Sequence, residues 1–451
     1  MKKVLQLSLA LATSLMATAQ TNPAISAWLQ NTSLTGSHYV QSNYTPIADA
    51  IPVNVQTVQY SANWAYATTH GIPSYTTGPF LDGNPSQASD QNAIFKFPLN
   101  PTQNTGNPTS TTGGNIGVFI NGVALFDYRD GVSWKNSTNA EAGGPLGGMG
   151  DGVWNRDAVV AERVGFDCAK GHPAMGNYHH HQNPSAFDLD LTVLSTICTL
   201  YDANGLYLID STQHSPLIGF AYDGFPIYGA YGYTNVNGTG GIARMKSSYQ
   251  LRNITVRNTD VSGNPVTAGP NVNTTYPLGR YKEDYEYIAH PSDPTYLDDH
   301  NGRFCVTPEY PNGIYCYFCT VNSQWNSTYP YVVGPTFYGN KVAAKVTSIT
   351  ETVSTYTPTT SSIDATYFNS MSLGVYPNPA SDYIAVQVGG LVTSDITVKL
   401  FDMTGRMVQS SLIPQGSSIT YLDTRTIYDG QYILQIANGE NLKTQRVIIA
   451  R

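Results

Sequence analysis

The stretch Cys168 to His181, read as CAKGHPAMGNYHHH, carries four of the nine histidines: His172, His179, His180 and His181. In an extended strand alternate side chains share a face, about 6.5 to 7 Å apart at roughly 3.3 Å rise per residue. His179 and His181 are therefore expected to point one way, and Tyr178 and His180 the other. Neutral imidazole is the commonest metal ligand and titrates nearest neutral pH, so two on one face supply the first half of a metal or acid/base site. The second half has to come from elsewhere: His172, or His214 in HSPL. Three imidazoles with a water or carboxylate in the remaining position suit copper(II) or zinc. Asp223 is a further candidate, as a ligand or as an outer acceptor that fixes an imidazole tautomer.

The same residues support blander readings. The histidines and tyrosines could form a hydrogen-bonded structural cluster beneath hairpins, or a metal-free acid/base pair. Asp-Gly favours a tight turn by itself, so Asp223 has a backbone role open to it, and His214 before Ser-Pro reads as a turn residue. Asp298 and Asp299 read as loop carboxylates, and Asp202, Asn204 and Gly205 form too short a string for a calcium loop. Serine-hydrolase elbows, zinc-protease helices, phosphate loops and dinucleotide turns are missing from the sequence. Two functions of different class remain: a secreted metal-binding protein, with an extracellular copper or zinc enzyme as its active form, and a cell-surface adhesion protein that binds through exposed tyrosines.

The elements that must position these residues come in pairs. GVFINGVALF (Gly117 to Phe126) and GFAYDGFPIY (Gly219 to Tyr228) share Gly, Asn or Asp, Gly, an aliphatic and an aromatic residue at identical spacing. Asn121-Gly122 and Asp223-Gly224 each divide two apolar runs, the signature of a hairpin turn with φ > 0. Downstream, DCAKG precedes GNYHHH (Gly176 to His181) and DHNG precedes GIYCYF (Gly313 to Phe318). Recurrence in one order predicts an internal duplication within one β domain. In that alignment Cys168 corresponds to His300, and His179 to Cys316.

Composition sets the context. With 32 tyrosines, 41 glycines and 12% charged residues, the chain reads as β-rich and extracellular. Lys2 and Lys3, an apolar run from Val4 to Met16, and Ala17 and Ala19 before Gln20 form a signal-peptide pattern over residues 1–19, with cleavage after Ala19. There is no cysteine at that junction for a lipid anchor, and no later apolar run long enough to span a membrane. Without the two lysines, 21 basic residues face 31 acidic ones, a net charge of about −10, which disfavours nucleic acid and anionic lipid as partners. An odd count of five cysteines leaves at least one thiol out of any disulfide; Cys305 and Cys316 could face each other if Phe304 to Phe318 is a hairpin, and the pairing among Cys168, Cys198, Cys305, Cys316 and Cys319 stays open.

Thr347 to Ser362, TSITETVSTYTPTTSS, has the composition of a linker, placed at residues 341–372. Beyond it, alternation in Ile384/Val386/Val388, Ile396/Val398/Leu400 and Tyr432/Leu434/Ile436 predicts a small β-sandwich at 373–451. VYPNPASDYIAV, KLFDMTGRMV, YDGQYILQI and the final LKTQRVIIAR resemble the C-terminal sorting domain of the type IX secretion system of Bacteroidetes. The resemblance implies handling by that machinery, passage across the outer membrane, and then release or attachment at the cell surface.

A second resemblance covers residues 55–335 within a domain set at 20–340. HGIPSYTTGPF, IFKFPLNP, GVFINGVALFDY, GHPAMGNYHHHQNP, HSPLIGFAYDGFPIYGAYGY, LDDHNGRFCVTPEYPNGIYCYF and YPYVVGP are similar to the YHYH family, named for a Tyr-His-Tyr-His motif. It implies a largely β fold and no particular activity. Here His180 stands at the motif's second tyrosine, and Cys316 and Phe318 replace both histidines of the second copy. Histidine is thereby concentrated in the first copy.

Overall fold

The computed structural model describes residues 22–451 except 84–85, 185–205, 208, 210, 343, 358–370, 390–391, 393, 404–405, 416 and 439–440. The leader, Cys198 and the calcium-loop candidates Asp202, Asn204 and Gly205 lie outside the described residues. The fold is mainly β.

Its centre is an eight-stranded sheet built from β1 (Asn115–Phe119), β2 (Ala124–Phe126), β3 (Gly171–Ala174), β4 (Asn177–His180), β5 (Leu217–Ala221), β6 (Pro226–Tyr228), β7 (Gly302–Cys305) and β8 (Ile314–Phe318). The strand order is β3-β4-β2-β1-β5-β6-β8-β7, two identical quartets meeting at β1 and β5. Each quartet is a hairpin whose second strand pairs in parallel with the next element, which closes in a second hairpin. At the junction Gly117 faces Ala221 and Gly219 faces Phe119, so exchanging the copies restores the register. Both hairpins carry a bulge at the same place, between Asn115 and Gly117 and between Leu217 and Gly219. The duplication expected from the sequence is therefore a pseudo-twofold sheet.

Both tight turns need glycine. Gly122 and Gly224 have φ of +79° and +88°, and a Cβ would collide with Thr69 in the first case and Pro98 in the second. One detail of the sequence alignment is corrected. Asp167 Oδ1 accepts from the N–H of Ala169 and Gly171, and Asp298 Oδ1 accepts from the N–H of His300 and Gly302. Asp167 thus corresponds to Asp298 and Ala169 to His300, so Cys168 matches Asp299 and not His300. The aspartate that accepts from the turn sets the alignment, and DHNG starts one residue too late.

A second sheet, in the order Ala344–Val346, Ala93–Pro98, Trp64–Thr69, Val55–Tyr60, Ser354–Tyr356, shares a core with the first. Trp28 bridges them, with its ring 5.4 Å from Phe97 and 5.5 Å from Phe220. Burying such rings removes apolar surface from water at roughly 25 cal/mol per Å². The linker assignment is corrected at its N-terminal end: residues 344–346 and 354–356 cap both edges of this sheet. Strand pairing there overrides a Ser/Thr-rich composition.

The C-terminal sandwich packs a three-stranded sheet (Leu373–Tyr376, Tyr383–Val388, Ile419–Asp423) with a four-stranded one (Ile396–Asp402, Met407–Ile413, Gly430–Asn438, Asn441–Ile449). Its core, which includes Ile384, Val398, Leu434 and Val447, is separate from that of the larger unit. Of the pairings left open, Cys305–Cys316 does not form: both thiols are free and buried, as is that of Cys319. Cys305 lies opposite Ile314 and Cys316 opposite Arg303, so the two are diagonal and not facing. Cys168 is disulfide-bonded.

Candidate metal centre

The outer hairpin of the first quartet builds the site. Pairing of β3 with β4 sets His172 directly opposite His179, and side chains of opposed residues share a face. A buried carboxylate fixes the entry to β3. Asp167 accepts from the Gly78, Ala169 and Gly171 amides and, at 2.8 Å, from the Tyr178 hydroxyl. Gly171 is required there, because any Cβ would run into the Tyr178 ring. On the other face the Tyr75 hydroxyl and His180 Nε2 share a hydrogen bond of 2.7 Å.

His172, His179 and His181 are 6%, 2% and 4% exposed, and together they offer ligand atoms within 4.8 Å of one another. The Nε2 atoms of His179 and His181 are 3.1 Å apart, and those of His172 and His181 are 3.4 Å apart. The opposite nitrogens of two rings are engaged with main-chain oxygens. His179 Nδ1 donates to the Asn177 carbonyl at 2.8 Å and His181 Nδ1 to the Asp127 carbonyl at 2.5 Å. A carbonyl can only accept, so both rings hold a proton on Nδ1, and their Nε2 atoms are turned toward each other and toward His172. Phe126 stacks on His179 with centroids 3.7 Å apart, and Phe166 meets His172 edge-on at 4.9 Å.

Glu162 is the residue that sequence reading missed. It ends the short helix Ala158–Ala161, which Asp157 caps by accepting from the Val159 and Val160 amides. Its Oε2 is buried, 3.4 Å from His172 Nε2 and 3.3 Å from His181 Nε2. Nothing local in AERVGF marks it, since its proximity to the histidines is purely tertiary.

The electrostatics separate the rings. Burial pushes His172 down to about 4 and His180 to about 3. Burial, with His172 and His181 alongside, holds His179 well below its ordinary value. Burial opposes charge on His181 too, but adjacent Glu162 outweighs it and the net shift is upward. Burial would raise Glu162, yet His181 and His172 bring it below the usual carboxylate range.

The other two sequence candidates lie elsewhere. His214 packs against Tyr228, Tyr233 and Phe318 in the second copy and donates from Nδ1 to the Ser215 carbonyl, so it does not complete the triad. Asp223 accepts from the Tyr317 hydroxyl at 2.6 Å and the amides of Gly339 and Phe225, which makes it a turn and packing residue. Burial lifts it to about 6.

A duplicated β sheet with one histidine-bearing hairpin, joined to a separate sandwich, defines the class. The chain belongs to the YHYH protein family, which matches residues 94–333. Residues 374–450 match the secretion system C-terminal sorting domain, the tail that directs type IX export to the cell surface or beyond in Bacteroidetes. Among the described residues no helix is long and apolar enough to cross a membrane. No curated protein matches the chain. A solved structure titled "Biofilm associated protein - BSP domain" aligns at 12% identity with a TM-score of 0.16, over 18% of this chain and 14% of that one.

Proposed function

We propose that this exported protein holds a transition-metal ion, copper(II) or zinc, between His172, His179 and His181, and delivers it as part of an extracellular or surface-attached metalloprotein. The observation that carries the reading is the convergence of three buried imidazoles, with ligand atoms within 4.8 Å of one another, two of whose rings are oriented by hydrogen bonds from Nδ1 to carbonyl oxygens. A cation among the three rings would be held by buried donors, where low dielectric strengthens the attraction. Main-chain oxygens orienting ligand imidazoles are the usual outer partners of a metal site. The sorting tail supports release from the cell or attachment to its surface after export.

Elemental analysis of the purified chain tests this. About one equivalent of metal in the wild type, lost when His179 and His181 are both changed to Ala, supports it. A folded wild type that takes up neither zinc nor copper at micromolar concentration rejects it.

A further inference from the structure

We infer that Glu162 is the fourth ligand of this centre and that the donor set is tetrahedral, which selects zinc over copper(II). The inference rests on the metal-binding reading above. The donors are His172 Nε2, His179 Nε2, His181 Nε2 and Glu162 Oε2. Four of the distances between them are 3.4, 3.1, 3.4 and 3.3 Å. A regular tetrahedron with edges of that length has its centre about 2.0 Å from every corner, the distance at which zinc binds imidazole nitrogen and carboxylate oxygen. Copper(II) prefers a tetragonal arrangement, whose adjacent donors at the same bond length stand about 2.8 Å apart, closer than any of these four pairs.

Burial separates the four ligands by role. The side chains of His172 and His181 are 8% and 3% exposed, whereas that of Glu162 is 20% exposed. Glu162 Oε2 is nonetheless buried, with no donor in hydrogen-bonding geometry among the described residues. A buried carboxylate oxygen 3.3 and 3.4 Å from two imidazole nitrogens, with no hydrogen-bond donor of its own, is placed for a cation. Glu162 is carried at the end of a single helical turn and not on the sheet, so it is the ligand that can leave without disturbing the others. The site therefore admits a small anion, a carboxylate or hydroxide, at the position Glu162 vacates, with the three histidines fixed behind it.

Cobalt(II) in place of zinc reports the coordination directly, through the intense visible absorption of a tetrahedral ion. The full-length chain is titrated with cobalt and with zinc as wild type, Glu162→Gln and Glu162→Ala, with circular dichroism verifying the fold of each. The wild type should give the tetrahedral spectrum with one equivalent bound. Both variants should bind zinc about 10 to 100 times more weakly and show an altered cobalt spectrum. Millimolar acetate should restore the spectrum in Glu162→Ala and leave Glu162→Gln unchanged, because only the smaller side chain leaves room for the anion. Variants with wild-type affinity and spectrum overturn the Glu162 assignment while the three-histidine site stands. A wild type that binds neither ion overturns both.

Discussion

Arg303 stands where the pseudo-twofold of the central sheet places the counterpart of His172. Each is the second residue of its strand, opposite His179 in one copy and Cys316 in the other. Arg303 donates to the carbonyls of Tyr233, Thr234 and Pro294, so a fixed positive charge, bound to main-chain oxygens, occupies the second copy's equivalent of the site. Phe318 stands at the counterpart of His181, so among the described residues the duplicated sheet carries the histidine cluster in one copy and not in the other.

One metal per chain follows. His172→Ala is expected to lower zinc affinity by about a hundredfold or more, since it removes a ligand where even an outer partner is worth about 10 to 100. Cys316→Ala should leave both stoichiometry and affinity unchanged. Competition against a chromophoric chelator measures both, and two equivalents in the wild type would refute the asymmetry.

The two buried aspartates allow scaffold and site to be separated. Asp167 holds the turn that leads into His172, and Asp298 holds the matching turn through Tyr315. Burial raises Asp167 to about 7. Asp167→Ala and Asp298→Ala should each destabilise the fold by about 3 kcal/mol, because several donors lose a buried acceptor. Only Asp167→Ala should also weaken metal binding. Equal metal affinity in the two variants, measured below their unfolding temperatures, would show that the Asp167 turn does not position His172.

These particulars show what the sequence made legible. The duplication was readable because glycines and Asn-Gly or Asp-Gly turns obey local backbone rules that recur at fixed spacing. His179 and His181 were readable as a pair because strand periodicity places them on one face. His172 was one of two options, and only the β3–β4 register distinguishes it from His214. Glu162 was invisible because its approach depends on a loop path, and no spacing encodes that. The edge strands at 344–346 and 354–356 were hidden because sheet pairing uses backbone groups that every residue has.

The depressed value of His172 sets a pH dependence in metal-free protein. The ring titrates at about 4 in the fold and near 6.5 when exposed, so the unfolded chain binds more protons across that window. Its contribution to stability is complete above about pH 6.5 and is lost as pH falls toward 4. Asp157 and Asp167, both raised to about 7 chiefly by burial, run the other way and mask it in the whole-protein profile. The comparison that isolates it is wild type against His172→Gln in urea, after chelation. Between pH 7 and 4.5 the wild type should lose on the order of 2 to 3 kcal/mol relative to the variant. A constant difference would mean that the ring is not held neutral.

Where the large unit ends can be tested by truncation. Ser354–Tyr356 pairs with Val55–Tyr60, Ala344–Val346 pairs with Ala93–Pro98, and the Tyr66 hydroxyl donates to Glu351 between them. A chain ending at residue 357 keeps both edges covered and loses only the sandwich, whose core is separate. It should retain its metal and unfold within about 2 °C of the full-length protein's first transition. A chain ending at residue 340 uncovers the backbone groups of two strands at once. It should unfold about 5 °C lower or more and associate in solution, because unpaired edges recruit other strands. If both truncations behave alike by calorimetry and light scattering, the two short strands add nothing to the fold and the boundary moves back to residue 340.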